Sequence, residues 1–287
     1  MIFINSAVRL KAKSLLSGNT ARLFLISALS FILRWGYALV NFTGLFHFLR
    51  SDIFKQLLES YNNALIYALT GIIYFISFYL MISTVSVLRM GERFAYYTRA
   101  EGGKGRFGLL FKFMGIKGGF RALRTYLTIN GLKLLWLVYF LLPTLLCGAC
   151  IIYLYVFGRL SATVLIALFT GEALLLSISL VMWRVSTLRY EATVYYICLR
   201  DISVRKAIKK SILHTDGVLS DGVVLEYSLL GWILSCIFVI PLFYSIPYIK
   251  MCKATFVTEA VSRRVSVKST YAVNYFPLSR KHINESS

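Results

Sequence analysis

The chain has 287 residues, of which 58% are hydrophobic, and its 32 Lys and Arg against 12 Asp and Glu give a formal net charge of +20. That apolar share is above the half or so of a soluble domain, and the cations lie between long charge-free runs. Composition therefore excludes an ordinary soluble domain. With no recognition motif beside the charge it also excludes a nucleic-acid binder, and leaves cations held on one side of a membrane.

Residues 6–16 read as a short amphipathic helix, capped by Ser6 and ended by Gly18. Arg9, Lys11 and Lys13 would face anionic headgroups while Val8, Leu15 and Leu16 dip into the bilayer. A frayed basic tail is the alternative. Lys11, Lys13 and Arg22 precede an apolar run longer than a signal h-region, so no cleaved leader is expected.

The first span falls at 22–46, with Arg34 as its one internal charge, beside Trp35. The charge-balanced stretch 50–63 suits an outer loop, and a second span follows at 64–88. The connection 89–128 is the most basic. Its cations include Lys104, Arg106, Lys112, Lys117, Arg121 and Arg124, set among Phe, Leu and Met as in an interfacial segment. These six are candidate contacts for anionic lipid headgroups on the cytoplasmic side. The glycines between Gly102 and Gly119 suggest a phosphate loop, but Gly103-Lys104 runs into Gly105 where Ser or Thr is required.

The third span is placed at 132–157, with a kink at Pro143. A tight Gly158-Arg159 hairpin leads to the fourth, 160–183, which carries Glu172 near its middle. A second cytoplasmic stretch, 184–222, contains an amphipathic helix from Ser203 with Val204, Ala207, Ile208 and Ser211 on one face. No charge interrupts the chain between Tyr227 and Ile249, long enough to cross a bilayer core of about 30 Å. Prolines 241 and 247 divide that region into a fifth span, 223–240, and a sixth, 242–261, or a sixth segment lying in the interface. The six-span version keeps both basic termini cytoplasmic. The expectation is one all-α polytopic transmembrane bundle over 1–287, with five spans and a sixth.

A charge at bilayer depth costs at least about 2.5–3.5 kcal/mol, so intramembrane charges should face the interior. Arg34 and Glu172 sit at similar depths and are expected to meet, or to share a polar site with Lys250 or Lys253. The spacing Cys147-Gly-Ala-Cys150 fits close helix packing better than redox or metal chemistry. His47, His214 and His282 form no ligand cluster. No catalytic, metal or cofactor signature is present, so no enzyme activity and no cofactor is expected. A non-enzymatic protein organising partners or lipids through a basic face is favoured. A small-solute or ion transporter with a midplane polar site is second, and a membrane-embedded lipid enzyme third.

In the C-terminal part, Tyr195-Tyr196-Ile197, Ala207-Ile208-Lys209-Lys210-Ser211, Ser228-Leu229-Leu230-Gly231-Trp232 and Pro247-Tyr248 follow in order. Together with Leu10-Lys11-Ala12-Lys13…Leu16-Ser17-Gly18-Asn19 and Leu135-Trp136…Leu142-Pro143, this resembles the bacterial integral membrane family called domain of unknown function 975. The resemblance implies a multi-span protein of the bacterial plasma membrane, with no catalytic residue to carry over.

Overall fold

The computed structural model describes residues 2–52, 54–56, 63–158 and 161–275. Its helices, among the described residues, are α1 (Ile2–Leu16), α2 (Thr20–Arg50), α3 (Asn63–Ala100), α4 (Ile116–Phe157), α5 (Ala162–Leu188), α6 (Glu191–Arg200), α7 (Val204–Thr215), α8 (Leu219–Ser228), α9 (Leu230–Ser235) and α10 (Val239–Tyr275). A 3-10 turn, Phe107–Phe111, links α3 to α4, and no strand occurs among these residues. Arg159 of the expected hairpin, half of the expected outer loop and the tail from 276, with His282, lie outside the described residues.

The molecule has two storeys. In the lower one, the ends of α2–α5 pack with α1, α6, α7, α8 and α10 around Leu23, Ile26, Leu88, Ile197, Leu225 and Met251, all at most 2% exposed. In the upper one, α2–α5 continue as apolar helices whose large side chains point outward, from Phe31 and Phe42 to Leu145 and Phe169. Only 6–22% of the most apolar window of each spanning helix is buried in protein, so the remaining surface suits lipid. Four helices are long and apolar enough to cross a membrane, or five if the pair Val204–Thr215 and Leu219–Ser235, bent by 82°, counts as one span.

Several expectations change at the storey boundary. The basic stretch 89–128 is no free loop: α3 runs on to Ala100 and α4 begins at Ile116. Val87, Met90, Phe94, Ala95 and Tyr97 carry the apolar period past the first charges, and tertiary packing holds the helix there. Gly91 permits the 3-10 turn to cross α3, since a Cβ at that position would stand 2.0 Å from the Leu110 carbonyl oxygen. Phe113, at the far side of that turn, packs on Phe94.

Helix α1 also differs from its expectation. Val8, Ala12 and Leu16, spaced by four on one face, are buried in protein and not in lipid. The helix packs along α10, with Arg9 donating to the Tyr248 hydroxyl at 3.3 Å and Lys11 bonding Glu259. Gly18 closes α1 at φ +74°, and the Arg99 guanidinium caps its Leu15 carbonyl at 3.0 Å. For α7 the expected face holds: Val204, Ala207 and Ser211 are buried and Ile208 packs on the core.

The region expected to hold a fifth and a sixth span is interrupted. Helices α8 and α9 are short, and α9 turns at 236–238 into α10. Ser235 and Ser245 meet at 2.8 Å across the turn, whose tip exposes Ile237 and Phe238. Helix α10 then descends through the centre of the lower storey, with Ser245, Met251, Cys252 and Thr255 fully enclosed. It is not among the helices apolar enough to span.

Candidate functional site

Where the storeys meet, three carboxylates each bind two cations. Glu92 of α3 accepts from Ser30 at 3.2 Å, lies 3.6 Å from Arg34 of α2 and bonds Lys250 of α10. Glu191, at the start of α6, stands 3.3 Å from Lys133 of α4 and 3.7 Å from Arg93 of α3. Glu226 of α8 bonds Arg184 of α5 through both oxygens, one contact being 2.6 Å, and Lys253 of α10 at 3.0 Å. Glu92 is the most enclosed, with its side chain 7% exposed. The three pairs of cations tie α2, α3, α4, α5, α6, α8 and α10 into one layer.

Neighbouring hydroxyls and indoles fix this layer. The Tyr96 hydroxyl meets Ser27 at 2.8 Å and donates to the Leu23 carbonyl at 3.2 Å. Tyr97 donates to the Glu191 carbonyl at 3.2 Å. Trp183 donates to the Lys133 carbonyl and Trp136 to the Tyr190 hydroxyl, each at 2.9 Å. Such partners matter because a buried charge retains its desolvation cost unless its remaining donors and acceptors are satisfied.

A cavity of about 250 Å³ opens in the layer, where Arg34, Arg89, Arg93, Lys250 and Lys253 face Glu92 and Glu191. Cations thus outnumber carboxylates on its wall. A second, more apolar cleft of about 340 Å³ lies between α5 and α8–α9, with Arg184, Glu226 and Lys253 on its wall. Lys253 belongs to both.

The structure brings together Arg34, Lys250 and Lys253 but not Glu172. Arg34 turns back toward the start of α2, donating to the Ser30 carbonyl at 2.9 Å, and so reaches Glu92. Glu172 is on α5, which packs against α4, and its carboxylate sits beside Gly148 with an ideal Cβ there 3.5 Å from Oε1. Among the described residues it has no ion pair. Cys147 and Cys150 on either side of Gly148 are exposed, so the glycine, not the cysteines, makes the close approach.

Of the six expected lipid contacts, Lys104, Arg106, Lys112, Lys117 and Arg124 are exposed. Arg121 is half-buried and instead bonds Asp201 and the Ile202 carbonyl, the latter at 2.7 Å. Lys112 lies 4.1 Å over the Phe94 ring. No group of three or more metal-ligating side chains occurs among the described residues.

Glu92, Arg93, Lys133, Arg184, Glu191 and Glu226 were not anticipated as site residues. One signal marks them: each carboxylate stands within or just past the edge of an apolar run, where a charge without a partner is costly.

Fold and layer together define an all-helical, multi-span bundle with a charged stratum beneath its apolar storey. No family model matches the chain, nor does any curated protein or solved structure.

Proposed function

We propose that the chain is a non-enzymatic multi-pass membrane protein whose basic face gathers anionic lipid headgroups. The observation that carries this is the surface of the α3–α4 connection. Phe107, Phe111, Met114, Ile116 and Phe120 are exposed there, Ile116 at 94%, and Lys104, Arg106, Lys117 and Arg124 stand among them. Apolar side chains entering the interface beside cations are the pattern of a segment held flat on an anionic surface, each cation contributing about 1 kcal/mol. In nanodiscs of mixed anionic and zwitterionic lipid, the full chain should enrich anionic lipid, less so as salt rises. Reversing those four cations to Glu should remove most of the salt-sensitive enrichment. Unchanged enrichment overturns the proposal.

The α9–α10 turn bears on topology. From Lys250 in the charged layer to Val239 the helix rises about 16 Å, roughly half a bilayer core. A hairpin of that depth returns to the side it left. With four full spans it keeps α1 and the end of α10 together, and positive charge favours the cytoplasm for both. The resemblance to domain of unknown function 975 supports a bacterial plasma membrane. Labelling of Ser286→Cys from outside intact cells would sink this topology.

A transporter is the second reading, favoured by the cation-rich cavity between helices. Anion flux in proteoliposomes above that of empty vesicles would move it ahead.

A further inference from the structure

We propose that Arg184 and Lys253 form the headgroup seat of one specifically bound anionic phospholipid, whose acyl chain lies in the cleft between α5 and α8–α9. The proposal goes beyond the basic face and stands on different residues.

Three features point to this occupant. The cleft is open to the side, and its walls include Leu180, Val181, Leu230 and Ile233, each 41–47% exposed, while Leu229 closes its floor. A chain of CH₂ groups fits such a wall, whereas a soluble solute gains little there. Its charged end is cationic in excess: among the described residues, Glu226 is the one carboxylate paired with Arg184 and Lys253. Each cation keeps donors beyond those given to Glu226, since an ammonium has three and a guanidinium five. Finally, Lys253 opens onto the neighbouring cavity, where cations again outnumber carboxylates. An uncompensated positive field beside apolar helices is costly, and a phosphate diester supplies the missing charge through charge-assisted hydrogen bonds. A zwitterionic headgroup brings its own cation and compensates nothing.

The test uses the purified full chain, with lipid retention read by native mass spectrometry after exchange into detergent. The probes are dioleoyl phosphatidylglycerol, dioleoyl phosphatidylcholine and inorganic phosphate. Phosphatidylglycerol should be retained over phosphatidylcholine, and the retention should survive salt that strips lipid from the basic face. Lys253→Gln should weaken retention about tenfold, the loss of one charge-assisted hydrogen bond. Leu230→Trp fills the cleft from an exposed position, spares the ion pairs, and should weaken retention as much. The variant with Lys104, Arg106, Lys117 and Arg124 reversed should retain phosphatidylglycerol as before. Equal retention of the two lipids overturns the proposal, as does a silent Leu230→Trp. Phosphate binding that Leu230→Trp leaves intact, with no lipid retained, overturns it in favour of a small-anion site. Loss confined to the reversed variant also overturns it, and leaves the basic face as the only lipid contact.

Discussion

The two storeys are held by different physics. In the upper one, α4 and α5 pack side by side, with Gly148 beside Glu172 and the Thr144–Ser179 hydroxyl pair at 3.1 Å as their polar contacts. Lipid tails are as apolar as the helices, so burying one helix on another gains little there. In the lower storey, Leu23, Ile26 and Met251 are enclosed, and three carboxylates join seven helices. The contrast teaches where this fold is specified. Apolar length sets where the helices lie, while the charged layer and the core beneath it set which helices are neighbours.

The largest expected effect comes from breaking the layer. Glu92→Gln leaves Arg34 and Lys250 without a counter-charge and should cost about 3–5 kcal/mol in reversible unfolding from mixed micelles. Adding Arg34→Met and Lys250→Met to that variant should return part of the loss, because no charge then remains stranded. Next comes a matched pair of truncations. Leu23→Ala, in the lower core, should cost about 2–5 kcal/mol. Leu145→Ala, on an exposed face of the upper storey, should stay within about 0.5 kcal/mol. Equal losses at the two sites would erase the distinction between the storeys. A smaller effect is expected at the crossing of α3. Gly91→Ala drives a methyl into the Leu110 carbonyl, and overpacking of this kind costs about 1–3 kcal/mol. The last differs in sign: Glu172→Gln removes a charge at bilayer depth that has no ion partner among the described residues, and should leave the chain as stable or more stable in the same unfolding measurement.

The sequence made the helical membrane class legible because lipid-facing helices need no partner to declare themselves. Long apolar runs in α2–α5, interrupted only by Arg34 and Glu172, are sufficient. The ends of those helices were harder to place. Charge at Arg89, Glu92 and Arg93 signals the edge of a hydropathy window, yet the backbone stays helical to Ala100 because Phe94, Ala95 and Tyr97 still pack. Depth counting made Arg34 and Glu172 partners. It treats a long side chain as if it acted at its own Cα, whereas Arg34 bends back toward Ser30 and reaches another helix. Lys250 and Lys253 were recognisable as candidates for a shared polar site. Their carboxylates, on α3 and α8, depend on which helices meet, and hydropathy carries no such information.

The docking of α1 on α10 has a consequence for synthesis. The Arg9–Tyr248 bond joins residues 239 apart in sequence and the Lys11–Glu259 bond residues 248 apart. Helix α1 leaves the ribosome well before the helix that receives Val8, Ala12 and Leu16. At about 5–20 residues per second, that interval is on the order of ten seconds or longer. Until then the face formed by Val8, Ala12 and Leu16 lacks the protein surface that covers it in the finished fold, so the first helix made is among the last to be buried.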